Sequence, residues 1–189
     1  MNRILLICAK EKTAQTLKTL LAGILPVETV WAGRLRQARD QLAQTVFSLV
    51  ILNLPFPEDG VEAFIQDLSR STSSGVLLLC PSETTQEALA RWLPAGVLVL
   101  PKPLSQPLFV QSVHLGLSTS ARLSQLLAEN QRLHSKLEEL RIVSRAKAVL
   151  IEYLKLSEPQ AHRYIEKQAM DLGLTRHQVA QNILKTYES

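Results

Sequence analysis

A chain of 189 residues has room for one large domain or two small ones, and 46% hydrophobic content is enough for a real core. A net charge of +4 and a pI near 9.2 permit a nucleic-acid partner without demanding one. No apolar stretch approaches the roughly 18 residues of a membrane span, and Met1-Asn2-Arg3 leads straight into a short apolar run rather than a signal peptide; the expected location is cytoplasmic, with no membrane contact.

From residue 1 to about 118, short apolar runs alternate with helical patterns. The runs are Arg3–Cys8, Val27–Trp31, Leu49–Leu54, Val76–Cys80 and Val97–Leu100. Between them lie helical patterns at Thr13–Ala22, Leu35–Gln44, Val61–Ser69 and Gln86–Leu93, and Pro107–Leu117 follows the last run. Near-continuous apolar runs indicate strands buried on both faces, as in a parallel sheet with helices on either side. Five βα units of this length predict an α/β, flavodoxin-like, doubly wound fold. Cys8 and Cys80 both fall in apolar runs and read as small buried strand residues rather than a disulfide or a metal pair.

This order resembles the receiver domain of response regulators. Leu100-Pro101-Lys102-Pro103 is similar to the receiver's Lys-Pro step after its fifth strand, and Val50–Pro55 followed by Asp59-Gly60 is similar to its third strand and loop. The resemblance implies paired acids after the first strand and a phosphoacceptor acid after the third. Cys8 and Ala9 stand where the pair belongs, and Asn53 stands at the acceptor. Cys80 replaces the switch Thr or Ser, and Val99 the switch aromatic. Mg²⁺ needs oxygen ligands, usually carboxylates, and an amide cannot form an acyl phosphate. A pseudo-receiver is expected: a degenerate site of Cys8, Ala9, Asn53, Cys80 and Lys102, with Lys102 a partly buried amine near the Asn53 carbonyl. Glu11, Glu58 and Asp59 are expected to be solvated loop charges.

Residues 119–144 predict a coiled-coil helix. With Leu123 at position a, the d and a sites run Leu126, Asn130, Leu133, Leu137, Leu140 and Ser144. A single Asn at an a site sets register and favours two strands, so a parallel homodimer is expected. The alternative is one amphipathic helix packed on its own receiver.

The C-terminal segment, 141–189, carries eight Lys or Arg against five Asp or Glu and so supplies +3 of the +4. Ser157 with Gln160, and Thr175 with Gln178, fit capping boxes; Pro159 suits a first turn and Gly173 a helix end. The pattern predicts an all-α three-helix bundle, assigned to 145–189 after the receiver (1–118) and the coil. Arg145-Ala146-Lys147, Leu150, Ala161, Tyr164, Ala169-Met170-Asp171 and Val179-Ala180 resemble the ANTAR domain, the RNA-binding domain of bacterial transcription antiterminators. The resemblance implies binding to paired hairpins in leader mRNA, which prevents a terminator from forming.

A helical RNA binder offers Arg and Lys for phosphate and a planar side chain for stacking. The candidates are Arg145, Lys147, Arg163, Tyr164, Lys167, Arg176 and His177, with Tyr164 also suited to the core. Ala146, Leu150, Ala161, Ala169 and Ala180 read as helix-packing residues. The four histidines are scattered, and no phosphate loop, nucleophile elbow or paired catalytic carboxylates appear; no metal, no cofactor and no enzyme activity are expected. The reading is a dimeric RNA-binding antiterminator whose receiver is a regulatory module or docks a protein partner. Two rivals are a DNA-binding regulator and a protein-interaction adaptor.

Overall fold

The computed structural model describes residues 2–187. Strands β1 (Asn2–Ile7), β2 (Val27–Ala32), β3 (Leu49–Asn53), β4 (Gly75–Pro81) and β5 (Leu98–Lys102) form one parallel sheet in the order β2-β1-β3-β4-β5. Helices α1 (Glu11–Ala22), α2 (Leu35–Gln44), α3 (Val61–Ser71) and α4 (Thr85–Trp92) connect them. The flavodoxin-like fold read from the apolar runs is therefore present. Alternation along the strands explains the two layers. Leu5, Ile7, Val50 and Leu52 face one core with Phe64 and Ile65; Ile4, Leu6, Leu49 and Ile51 face the other with Leu17 and Phe109. Both faces are buried, as in a sheet covered by helices on either side.

Helix α5 (Gln106–Leu154) is longer than the separate helices read from the sequence. Pro107 sits in its first turn, where no amide donor is lost. Gly116 does not break it, because its role is contact. A Cβ on Gly116 would come within 2.6 Å of Leu49 Cδ1, and one on Gly75 would collide with the Gly116 carbonyl. Two glycines thus let α5 lie directly against the start of β4. Beyond Gly116 no proline or glycine interrupts the helix, so nothing stops it until Lys155, which takes φ 55°.

The chain divides into two compact units, up to residue 125 and from 126 onward, with the division inside α5. The second unit holds the last part of α5, α6 (Glu158–Leu172) and α7 (Arg176–Tyr187). Its core contains Ala146, Val149, Leu150, Ala161, Ile165, Val179, Ala180 and Ile183. Among the described residues, no helix is long and apolar enough to cross a membrane.

Candidate functional site

Two places carry the residues singled out by sequence: the C-terminal edge of the sheet and the surface of the helical unit.

Parallel register brings Asn53, Cys80 and Lys102 to one edge, because Asn53 pairs with Leu79 and Pro81 with Lys102. This is the edge where open α/β sheets hold ligands. Lys102 Nζ donates to Asn53 Oδ1 at 3.2 Å and to the Leu54 carbonyl. Cys8 is fully buried and Ala9 exposed. Burial pushes the Cys8 thiol up to about 11, with the Lys102 ammonium pulling weakly the other way. At neutral pH the position holds a neutral thiol. Cys80 Sγ lies 3.5 Å from Thr85 Oγ1 and 3.9 Å from the Leu100 carbonyl, which ties the switch position to its own neighbours. Among the described residues, no group of three His, Cys, Asp or Glu is placed to hold a metal ion.

Two neighbours were not legible as part of this edge. The Trp31 indole donates to the Cys8 carbonyl at 2.9 Å and so ties β2 to the end of β1. Glu58 corrects its expected role as solvated charge: its carboxylate accepts the Leu35 amide at 3.1 Å. It thereby satisfies a free N–H at the start of α2, where Arg34 supplies no side-chain cap. A single sequence cannot announce a cap that acts across 23 residues.

In the helical unit, the small and apolar members of the C-terminal pattern are packing residues. Ala146, Leu150, Ala161 and Ala180 are fully buried, and Ala169 packs against the same core. Both capping boxes close through the acceptor oxygens of their glutamines: the Ser157 amide donates to Gln160 Oε1 at 2.8 Å, and the Thr175 amide to Gln178 Oε1 at 2.9 Å. The Gln178 amide returns a bond to Thr175 Oγ1 at 3.2 Å. Gly173 ends α6 at φ 63°, the left-handed cap that glycine takes at least cost.

The basic candidates fall into two sets. Arg163, Tyr164 and Lys167 are exposed together on α6. Tyr164 is 39% exposed, so of its two readings the ring is on the surface rather than in the core. Neither Arg163 nor Lys167 has an ion-pair partner among the described residues. Met170, three residues after Lys167, is 83% exposed; the sequence placed it in the pattern without signalling that it would face water. In the second set, Lys147 and Arg176 are already engaged. Lys147 Nζ binds Glu158 Oε1 at 2.6 Å, and this lysine holds the Glu158 carboxyl below its usual range. Arg176 and His162 both approach Glu166, at 3.7 and 3.3 Å. Arg145 is exposed on α5, and His177 is half-buried on α7.

The coil positions Leu126, Leu133, Leu137 and Leu140 are 49–65% exposed in the single chain, and Asn130 is exposed with them. Glu129 is held within its own helix by Arg132, through bonds of 2.8 and 2.9 Å, and that guanidinium lowers the Glu129 pKa.

Comparison with known proteins accords with both halves. Residues 131–184 match the ANTAR domain family. The transcriptional regulatory protein PdtaR of Mycobacterium tuberculosis is 30% identical over 140 residues, covering 73% of this chain and 67% of that protein. A response regulator receiver domain protein from Clostridium thermocellum superposes with TM-score 0.58 at 17% identity, over 65% of this chain and 99% of its own. The signal receiver domain of an HD domain-containing protein from Pseudomonas fluorescens Pf-5 gives 0.56 at 24%, over 64% and 98%. At these identities the two structures speak for the fold alone.

A receiver-type α/β domain followed by a helical unit is the layout of a response-regulator-like protein. Within that class the chain belongs to the ANTAR family of antitermination-type transcriptional regulators.

Proposed function

We propose that this chain binds hairpins in nascent leader mRNA through its C-terminal bundle and so prevents a terminator from forming. The observation that carries the reading is the α6 surface: Arg163 and Lys167, two cations without ion-pair partners among the described residues, flank the exposed ring of Tyr164. Guanidinium and ammonium groups meet phosphate, and a planar ring stacks on a looped-out base. The salt dependence of hairpin binding tests it. Each phosphate contact contributes about −0.7 to −0.9 to the slope of log K against log salt, so changing Arg163 and Lys167 together to Ala should weaken binding and flatten the slope by roughly 1.5. An unchanged slope would move the contact to Arg145, Lys147, Arg176 and His177. Duplex DNA competing as well as the hairpin would favour a DNA-binding regulator, and no salt-dependent retention of RNA would favour a protein-interaction adaptor.

The functional segments are a receiver at 1–118, a dimerisation helix at 119–144 and the RNA-binding bundle at 145–189. The exposed leucines of α5 support a parallel homodimer, in which two bundles meet paired hairpins with raised effective concentration. The regulator is non-enzymatic and cytoplasmic. Its receiver works without phosphorylation, as a regulatory module or the dock for a protein partner. With Cys8, Ala9 and Asn53 at the three acid positions, acetyl phosphate and Mg²⁺ should leave the intact mass unchanged.

A further inference from the structure

A cavity of about 340 Å³ opens beside the Asn53–Lys102 pair, between α1 and the ends of β3 and β5. Its walls are mainly apolar, with Leu17, Leu79 and Leu104 among them. Its charged groups are Lys12 and Lys102; among the described residues, no carboxylate lines it. Its other polar residues are Asn53, Thr13 and Thr16, and the Thr16 hydroxyl already donates to the Lys12 carbonyl at 3.0 Å. An ammonium has three N–H bonds and no acceptor. Lys102 uses two of them, on Asn53 Oδ1 and the Leu54 carbonyl, so one remains. Because Lys102 can only donate, the amide oxygen of Asn53 must be the atom that faces it. The Asn53 NH₂ is then left without a partner among the described residues. Lys12, exposed on the first turn of α1, has no ion pair among them either.

The charge balance at this edge is thus the reverse of the receiver pattern that the chain resembles. There, three acids surround one lysine and draw in a cation. Here the acids are a thiol, a methyl group and an amide, and two lysines remain. In partly buried surroundings an uncompensated cation attracts an anion more strongly than in water. The volume is at the small end of ligand pockets, about 300–1,000 Å³. We infer that the cavity binds a small organic anion: an oxyanion head held by Lys102, Asn53 and Lys12, and an apolar body of a few carbons against Leu17, Leu79 and Leu104. Binding is reversible and forms no covalent bond. This assignment does not depend on RNA binding by the other unit.

The test is titration of the full chain at constant ionic strength with hexanoate, acetate, inorganic phosphate and hexylamine. Calorimetry and the thermal transition seen by tryptophan fluorescence read the outcome, since Trp31 and Trp92 both lie in the receiver. Hexanoate should bind saturably and raise that transition. Acetate should bind more weakly, and hexylamine, with the same body and the opposite charge, should not bind. Removing a charged hydrogen bond should cost about tenfold or more in affinity, so Lys102→Met should lose that much. Lys12→Glu, at an exposed position, should weaken binding as well, and it keeps the test decisive if Lys102→Met does not fold. Hexanoate binding both variants as well as the parent would overturn the assignment, as would equal binding of hexylamine. Binding of phosphate without binding of hexanoate would overturn the organic body of the ligand.

Discussion

Leu150 is the most direct handle on the helical unit. It is fully buried and packs among Ala146, Val149, Ala161, Ile165 and Ala180, so it joins α5 to α6 and α7. Leu150→Ala removes this side chain from a core in which three of the five named neighbours are alanines, too small to close the gap. Such a change costs about 2–5 kcal/mol, and none of it comes from helix propensity, because alanine is the best helix former. A unit comprising residues 126–189 has an expected stability of about 3–10 kcal/mol. A loss of about 3 kcal/mol therefore takes a third or more of it, which is roughly 10–25 °C in melting temperature for a domain of this size. The chain carries its own reporters. Its two tryptophans, Trp31 and Trp92, lie in the receiver, and its three tyrosines, Tyr153, Tyr164 and Tyr187, lie in the helical unit. Tyr153 and Tyr187 face each other with ring centroids 5.4 Å apart, so their near-ultraviolet dichroism follows the closed bundle. In Leu150→Ala the tyrosine transition should fall while the tryptophan transition stays in place. If both fall together, the units melt as one cooperative block. If neither moves, Leu150 does not anchor the bundle and the packing argument is wrong.

Three further outcomes are expected. Replacing Leu133 and Leu137 with Lys places charge in the seam of the proposed coil, and light scattering should then report monomer; a persistent dimer would mean that another surface holds it. Gly173→Ala puts a Cβ on a residue at φ 63° with nothing within 4 Å, so the cost is all backbone, about 1–2 kcal/mol, and it should appear in the tyrosine transition. The Cys8 thiol is raised from 9.0 to about 11, so its contribution is fully present below pH 9 and is lost as pH rises through 11, by at most about 3 kcal/mol. Urea denaturation of the parent and of Cys8→Ala should converge in stability over that range, and parallel curves would remove Cys8 as the cause.

How much was legible in the chain follows from the range of each interaction. Strands β1 and β3 announced themselves because both faces are apolar, a pattern that needs no knowledge of the partner. The capping boxes were equally visible, since donor and acceptor lie three residues apart. What could not be read depends on residues far apart in sequence. Nothing in the sequence singles out Gly75 and Gly116, through which α5 touches β4. Glu58 looks like loop charge until its carboxylate reaches the Leu35 amide. The receiver edge adds a different lesson. Residue identities alone suggest what this edge would not do, because Cys8, Ala9 and Asn53 offer neither carboxylate ligands nor a nucleophilic acid. They did not predict what the remaining groups would make together. Lys102 survives as a donor, Asn53 is turned by it into another donor, and α1 contributes Lys12 beside an apolar wall. Two lysines and no carboxylate among the described residues therefore border this cavity. The bonds from Lys102 to Asn53 and Leu54 satisfy two of its three donors within the fold, so a single N–H is left for an anion in the cavity to meet.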